Sequence, residues 1–182
     1  MRRIIGLGLA ALSLALALSG CATMRRPPPV AAMAGGDPQA VWEAGQAAYL
    51  KWNGGRHGWM TTASGLQAHR DSAARRGAPH PTPGCTVTVN YEGRLINGGL
   101  FDSSFARHEP ATFALGRVIK GWGEGVPMMR VGETWTFAIP AEIAYRDRAI
   151  RIDEPGKTTI FSRSTLIFRI ELLSLGADCG KA

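Results

Sequence analysis

The sequence is poor in the residues that most often bind metals or act as nucleophiles. It has three cysteines and four histidines, and neither set is spaced as zinc ligands usually are. It also lacks a recognisable Ser/His/Asp or Cys/His constellation of the kind that activates a nucleophile. We therefore expect no metal and no other cofactor. The histidines in question are His57, His69, His80 and His108.

Dense clusters of one charge are also missing. The chain has 21 Lys and Arg against 14 Asp and Glu, a formal net charge of +7, but the arginines are dispersed. No basic patch with interleaved aromatic residues appears, so we do not expect nucleic acid as a partner. The charge fits attraction to anionic lipid or cell-wall material, and equally an ordinary solvated surface.

The apolar run from Ile4 to Leu18 is shorter than the roughly 20 residues that a membrane span needs. Basic residues precede it and small residues follow it, which predicts a cleaved export signal over residues 1–20, with a retained anchor helix as the alternative. Leu18-Ser19-Gly20-Cys21 resembles the lipobox of bacterial lipoproteins. This predicts lipidation of Cys21, with ordinary secretion as the alternative, and durable membrane anchoring through its acyl chains.

The predicted destination is the bacterial cell envelope, on a membrane facing the periplasm. Ala22 after the lipid cysteine favours the outer over the inner membrane. Residues 21–36 are rich in Pro, Ala and Met and are predicted to be a flexible tether. A helical segment is predicted within residues 37–60, with Asp37 as N-cap, Pro38 at the first position and Asn53-Gly54-Gly55 at the end.

The rest of the chain alternates apolar and polar residues with period two, as half-buried strands do. Three clear strands contain Val87, Val89 and Tyr91; Trp135, Phe137 and Ile139; and Leu166, Phe168, Ile170 and Leu172. A weaker strand is predicted around residues 62–69. Asn97-Gly98 predicts a hairpin turn, and a single helix is predicted from about Ile119 to Met129, ended early by Pro127. The pattern indicates an antiparallel α+β domain whose sheet is covered on one face by that helix.

Seven collinear segments together resemble the FKBP-type peptidyl-prolyl isomerases over about residues 61–175, and most closely the bacterial exported branch that includes macrophage infectivity potentiator proteins. They are Thr61-Thr62-Ala63-Ser64-Gly65-Leu66-Gln67, Val87-Thr88-Val89-Asn90-Tyr91-Glu92-Gly93, Phe101-Asp102-Ser103-Ser104, Phe113-Ala114-Leu115-Gly116, Val118-Ile119-Lys120-Gly121-Trp122, Val131-Gly132-Glu133 and Leu166-Ile167-Phe168-Arg169-Ile170-Glu171-Leu172-Leu173. The resemblance implies an antiparallel sheet of about five strands wrapped around the short helix, in a domain spanning residues 61–178 with a tail at 179–182.

The resemblance also implies a pocket between helix and sheet. The implied substrate-binding residues are Tyr91, Phe101, Val118, Trp122 and Phe168, with Trp122 as the floor. The implied catalytic residues are Asp102 at the rim, the Ile119 backbone N–H and the Tyr145 hydroxyl, and Arg107 would pair with Asp102. Taken alone, Trp122 and Phe168 also fit a plain core, and Asp102 could cap a turn through Ser104. Phe113 is interpreted as a core residue.

Two further cysteines bear on the fold. In the family that the chain resembles, the last strand runs antiparallel beside the strand that starts after Gly84. The tail that carries Cys179 is therefore expected near Cys85. Since exported proteins can oxidise their thiols, we predict a disulfide between these two residues.

Isomerisation suits a site without a nucleophile. Rotation about an X–Pro bond meets a barrier of roughly 20 kcal/mol because it breaks amide resonance, and an apolar cavity can favour the twisted amide without any proton transfer. The implied function is therefore a prolyl isomerase that assists the folding of exported, proline-containing polypeptides. The oligomeric state stays open.

The segment 147–163 departs from the family pattern. Arg146 replaces the usual glycine, the segment is longer and charged, and no Ile-Pro-Pro motif is present, so Ile160 is the candidate for the pocket isoleucine. Because this loop normally contacts the substrate, a non-catalytic binding or chaperone module remains the alternative function.

Overall fold

The computed structural model describes residues 37–179. The predicted export signal, the lipidation site at Cys21 and the tether lie outside the described residues, as does the end of the tail at 180–182. None of the helices between Asp37 and Cys179 has both the length and the apolar character needed to cross a membrane.

The first helix begins where the capping residues predict. Helix α1 spans Pro38–Gly54, and the Asp37 carboxylate accepts a hydrogen bond of 3.1 Å from the Gln39 N–H. Since the first N–H groups of a helix have no partner inside it, this bond satisfies one of them. The helix ends at Gly54, within the Asn53-Gly54-Gly55 segment predicted to end it. Gly55 follows it with φ −84°, so the helix ends without a left-handed glycine cap.

Buried polar side chains attach α1 to the rest of the domain. The Gln46 amide oxygen accepts a 2.9 Å hydrogen bond from the Thr165 N–H. The Asn53 amide donates to the Gln67 side-chain oxygen at 2.9 Å. The Trp42 indole N–H donates to the Ser162 carbonyl at 3.1 Å. These directional bonds fix the helix against Gln67 and against the segment that leads into the last strand.

A single antiparallel sheet forms the centre of the described part, and its longest strands alternate buried and partly exposed residues as the period-two pattern predicts. The strand order is β1-β2-β6-β7-β3-β4, and β5 also pairs with β3. The strands are β1 (Trp59–Thr61), β2 (Gln67–Ser72), β3 (Thr86–Leu95), β4 (Leu100–Ser103), β5 (Ala111–Ala114), β6 (Thr134–Ile139) and β7 (Leu166–Leu175).

The α+β class with an antiparallel sheet is confirmed, and the strand count is higher than the implied five. Strand β3 is long enough to pair first with β5 and then with β4 along the same edge, so one side of the sheet is built from two short strands. The short strand β1 adds an outer edge beside β2.

The weak strand predicted around residues 62–69 is confirmed only in its last three residues. Residues 62–66 form a turn in which the Gly65 N–H donates to the Thr62 carbonyl at 3.0 Å, and β2 starts only at Gln67. Gly65 has φ +85°, a left-handed conformation that glycine adopts without a steric cost. A turn that requires a positive φ therefore replaces the first half of the predicted strand.

Two short helices complete the fold. Helix α2 (Ser104–Arg107) directly follows β4, and helix α3 (Lys120–Gly125) lies against the sheet. The helix predicted to reach Met129 stops at Gly125 and continues as a 3-10 turn over Val126–Met128, because Pro127 has no N–H to extend an α-helix. Fully buried apolar side chains from β2, β3, β6 and β7 form the core that α3 covers, among them Val89, Phe137, Ile139 and Ile170, together with Leu66 just before β2.

A disulfide closes the fold at the start of β3. Cys85 and Cys179 are bonded in the structure, the pair that the resemblance implied. The Asp178 carboxylate accepts hydrogen bonds from the Thr86 N–H, at 3.0 Å, and from its hydroxyl, at 2.9 Å. The tail after β7 is thereby held beside the start of β3.

Candidate functional site

A pocket of about 730 Å³ opens between α3, the sheet and the long segment before β7. Its walls combine aromatic, aliphatic and charged side chains. The lining residues are Tyr91, Phe101, Asp102, Arg107, Phe113, Arg117, Val118, Ile119, Trp122, Tyr145, Ile150, Ile152, Glu154, Lys157, Ile160 and Phe168.

Trp122 forms the centre of an aromatic cluster at the base of this pocket. Its ring meets those of Tyr91, Phe113 and Phe168 edge to face, with centroid separations of 5.4, 5.3 and 5.2 Å. Phe101 packs against Phe168 in the same manner at 5.4 Å. Such pairs stabilise each other through ring quadrupoles beyond the area they bury. The cluster therefore gives the pocket a rigid apolar floor.

The indole N–H of Trp122 is a buried hydrogen-bond donor without a partner among the described residues. Trp122 is only 4 % exposed, and within the described residues its Nε1–H has no acceptor. Burying an indole N–H without a partner has a free-energy cost, which an acceptor on a bound molecule or a water molecule would remove.

Asp102 lies at the rim, held by residues from two neighbouring elements. The Tyr91 hydroxyl on β3 and the Arg107 guanidinium on α2 both donate to the Asp102 carboxylate on β4. Arg107 also donates to the Tyr91 hydroxyl oxygen at 3.1 Å. In the register of β3 and β4, Gly93 lies opposite Asp102. Tyr91 is two residues before Gly93 on β3, so its side chain lies next to Asp102. The three side chains form a closed polar triangle at the edge of an apolar pocket.

The triangle determines the charge state of its members. Burial alone would raise the pKa of Asp102, but hydrogen bonds from Tyr91 and Arg107, together with the positive charges of Arg107 and Lys157, lower it overall. Burial and the neighbouring carboxylate raise the pKa of Tyr91 to about 12. At neutral pH the acid is therefore ionised and the phenol keeps its proton. Neither group is suited to exchange a proton with a substrate.

Two potential hydrogen-bond donors face the pocket without partners among residues 37–179. The Ile119 N–H stands just before α3 and makes no hydrogen bond there, although its carbonyl accepts from the Trp122 N–H at 3.0 Å. The Tyr145 hydroxyl likewise has no hydrogen-bond partner in that range, and burial followed by the charge of Asp102 raises its pKa. Both groups can donate to carbonyl oxygens of a bound peptide.

One wall of the pocket comes from the segment 147–163, which we call the arm. Its two ends meet where the Arg163 N–H donates to the Arg146 carbonyl at 2.7 Å. Farther along, Ile150 and Ile160 form an antiparallel bridge with hydrogen bonds of 2.8 and 3.0 Å. The arm is thus a hairpin-like projection whose inner side carries Ile150, Ile152, Glu154, Lys157 and Ile160 into the pocket.

The structure places all eight residues that the resemblance assigned to catalysis or substrate binding around this one pocket. The expectation for Phe113 was wrong, because this residue is only partly buried and lines the pocket beside Trp122. Phe113 lies on the edge strand β5, where its side chain is left open to the pocket. Ile160, the candidate for the pocket isoleucine, also lines it.

Sequence reasoning missed five lining residues. Arg117 precedes α3, and the other four belong to the arm. Ile150 and Ile152 occupy alternate positions, a signal of one apolar face that could have pointed to the pocket. Nothing in the sequence identified the charged pair at the tip of the arm. The missed residues are Arg117, Ile150, Ile152, Glu154 and Lys157.

Comparisons with known proteins agree on the kind of domain. A family model described as FKBP-type peptidyl-prolyl cis-trans isomerase matches residues 77–173. The chain is 43% identical over 141 residues to a probable FKBP-type peptidyl-prolyl cis-trans isomerase FkpA of Neisseria meningitidis, a match that covers 78% of the chain and 48% of the relative. It is 39% identical over 128 residues to the outer membrane protein MIP of Legionella longbeachae, covering 70% of the chain and 52% of that protein.

Solved structures give the same result. The crystal structure of FkpA from Escherichia coli superimposes with a TM-score of 0.65 at 35% sequence identity, covering 75% of this chain and 60% of that one. The chain spans about half the length of the two curated relatives named above.

Proposed function

Because the chain belongs to the FKBP-type peptidyl-prolyl cis-trans isomerase family, we propose that it catalyses the cis–trans isomerisation of X–Pro bonds in exported polypeptides. The observation that carries this proposal is the aromatic pocket in which Trp122, Phe168 and Tyr91 meet, lined also by Ile119 and Tyr145, whose donors have no partner among residues 37–179. We propose residues 61–178 as the catalytic domain and α1 as an appended helical segment.

The reaction needs a binding preference and no covalent chemistry. A planar X–Pro amide is stabilised by resonance, and that resonance is lost when the bond is half rotated. The proline ring would lie on the Trp122 floor, while the Ile119 N–H and the Tyr145 hydroxyl would donate to peptide carbonyls on either side. Each 1.4 kcal/mol by which the pocket favours the twisted over the planar amide accelerates rotation about tenfold.

Asp102 would act as a fixed charge at the rim. Its lowered pKa makes it a poor general acid, and its oxygens already accept from Tyr91, Arg107 and the Ser103 N–H. Its role would be to hold Tyr91 and Arg107 in place and so keep the rim rigid. A preorganised charge of this kind costs no reorganisation during the reaction.

A protease-free assay of proline-containing peptides tests the proposal. The purified protein is expected to accelerate isomerisation, measured by NMR exchange between the cis and trans forms. Tyr145→Phe should lower kcat/KM by about threefold to tenfold, the equivalent of one hydrogen bond. Trp122→Leu, which removes the floor, should lower it further. Tyr49→Phe in α1 is the matched control, because this buried tyrosine lies outside the pocket.

The alternative function has its own signature in the same assay. A correctly folded wild-type protein that binds proline peptides yet leaves their exchange rate unchanged would overturn the enzymatic proposal. The chain would then be a binding module that uses the same pocket.

We further propose that Cys21 is lipidated and anchors the domain to a membrane facing the periplasm, the outer membrane rather than the inner. Support comes from the Leu18-Ser19-Gly20-Cys21 sequence and from the similarity to a relative named as an outer membrane protein. Full-length protein expressed in a Gram-negative host should partition into the detergent phase, and Cys21→Ser should not. Recovery of both forms in the aqueous phase would exclude the anchor, and density separation of the two membranes would test the destination.

A further inference from the structure

The arm carries a lysine into the mouth of the pocket. The Lys157 side chain is 12 % exposed, and its Nζ lies 2.5 Å from the Glu154 carboxylate and 3.5 Å from the Asp102 carboxylate. It thus connects the tip of the arm with the polar triangle at the rim. A lysine so largely covered seldom occurs without paired charges.

Backbone hydrogen bonds fix the position of this lysine. The Thr158 N–H, next in sequence, donates to the Leu100 carbonyl at the start of β4 at 2.7 Å. The Lys157 N–H donates to the Glu154 carbonyl at 3.1 Å, which closes a turn at the tip. The bridge between Ile150 and Ile160 holds the two limbs together. The ammonium group is therefore presented by a structured element.

The two carboxylates that pair with Lys157 differ in how firmly they are held. Asp102 also accepts from Tyr91 and Arg107, so its position is fixed on several sides. Glu154 is 63 % exposed, and within the described residues its side chain pairs with Lys157 alone. Because an ion pair with one exposed partner is screened by solvent and contributes little free energy, an incoming carboxylate can replace Glu154.

Arg117 adds a second positive charge at the mouth of the pocket. Arg117 lines the same pocket, is exposed, and forms no ion pair with another residue in the range 37–179. A peptide in the pocket therefore meets Lys157 and Arg117 as available cations, while Asp102 is already neutralised by Arg107.

We propose that Lys157 determines substrate preference by pairing with a carboxylate on a residue that flanks the proline, with Arg117 adding to the attraction. This inference rests on the proposed isomerase function. It assigns the arm a role in selecting acidic proline-containing segments, with the substrate carboxylate taking the place of Glu154.

The test compares blocked peptides that differ in one charge. Ala-Glu-Pro-Phe against Ala-Gln-Pro-Phe places the carboxylate before proline, and Ala-Leu-Pro-Glu against Ala-Leu-Pro-Gln places it after. The purified full-length protein should isomerise the glutamate member of at least one pair with a kcat/KM about 1.5-fold to fivefold higher, as expected for a partly exposed ion pair. The excess should shrink in 0.5 M NaCl.

Three variants separate the role of Lys157 from general electrostatics. Lys157→Met should bring the glutamate-to-glutamine ratio close to one. Glu154→Gln, a change on an exposed side chain, should raise the ratio because it removes the competing carboxylate. Arg151→Met is the matched control, since it deletes a cation from the same arm at a site 82 % exposed and outside the pocket. Its ratio should equal that of the wild type.

The outcomes distinguish this inference from the proposed function. If peptides are isomerised but the ratio does not exceed one in either pair, or if Lys157→Met and Arg151→Met lower it equally, the inference is wrong and the isomerase function stands. If no peptide is isomerised, the function fails, and dissociation constants of the same peptides from calorimetry decide the charge preference. Tighter binding of glutamate that disappears in Lys157→Met would support it, and equal constants would overturn it.

Discussion

Asp102 shows how a charged residue at the rim of a pocket can stabilise the fold. It is partly buried at the rim, and its hydrogen bonds with Tyr91 and Arg107 outweigh the cost of that burial, so its pKa in the folded protein lies below the usual value. A carboxylate whose pKa is lowered by folding stabilises the protein above the pKa it has when unfolded, about 3.9. That stabilisation is lost as the pH falls through the lowered pKa.

Replacing Asp102 should therefore change how the free energy of unfolding depends on pH in the acidic range. We expect Asp102→Asn to be less stable than the wild type at pH 7 and to lose less stability between about pH 5 and pH 2, because it has no ionisation to lose. Urea unfolding at a series of pH values measures both effects. Asp153→Asn, on an exposed pair in the arm, serves as the control. Parallel profiles for Asp102→Asn and the wild type would contradict the expected linkage.

At the scale of a single element, α3 depends on glycines that would ordinarily weaken a helix. Its sequence contains three glycines, each of which costs conformational entropy. Two of them face the sheet: a Cβ on Gly121 would collide with the fully buried Ile139, and one on Gly125 would lie 2.8 Å from the Phe137 ring. The absence of side chains there lets the helix approach the sheet closely and sets the depth of Trp122.

We expect Gly121→Ala to destabilise the fold by about 1–3 kcal/mol, the usual cost of overpacking a core, and to lower isomerase activity because Trp122 must shift. Denaturant unfolding and the peptide assay measure the two effects. Gly55→Ala is the matched control, since a Cβ there would make only ordinary contacts of 3.6 and 3.8 Å. If Gly121→Ala were as stable and active as Gly55→Ala, close packing of α3 would not be needed.

At the scale of the whole molecule, the disulfide ties the end of the last strand to the start of the longest one. Cys85 and Cys179 are 94 residues apart in sequence, so the bond closes a loop that includes strands β3 to β7. Restricting so long a loop in the unfolded chain is expected to stabilise the folded state, although native strain and residual structure reduce the effect.

Replacing both residues with alanine should lower the free energy of unfolding by about 2–4 kcal/mol. Urea denaturation of the oxidised protein and of the Cys85→Ala/Cys179→Ala variant gives the difference directly. The wild type in the presence of a thiol reductant should approach the variant. An unchanged midpoint in both comparisons would show that the bond contributes nothing to stability.

The sequence determined the elements because their causes are local. Alternation around Val89 and Phe168 predicts strands, Asp37 marks the start of α1, and Pro127 stops α3 where an N–H is missing. At Gly65 the turn depends on a positive φ, which the apolar pattern of residues 62–69 does not reveal, so that pattern predicts a strand where the chain turns. The motifs around Phe101, Ile119 and Trp122 then identified the family and most of the residues around the pocket.

Only the tertiary structure decided how the arm completes the site. The position of Lys157 beside Asp102 depends on a hydrogen bond from Thr158 to Leu100, two residues that are distant in sequence. Likewise, Phe113 lines the pocket because β5 pairs at an edge of β3, a register that apolarity alone does not reveal. Periodicity and caps are properties of neighbouring residues, whereas the shape and charge of a pocket arise from contacts between separate segments.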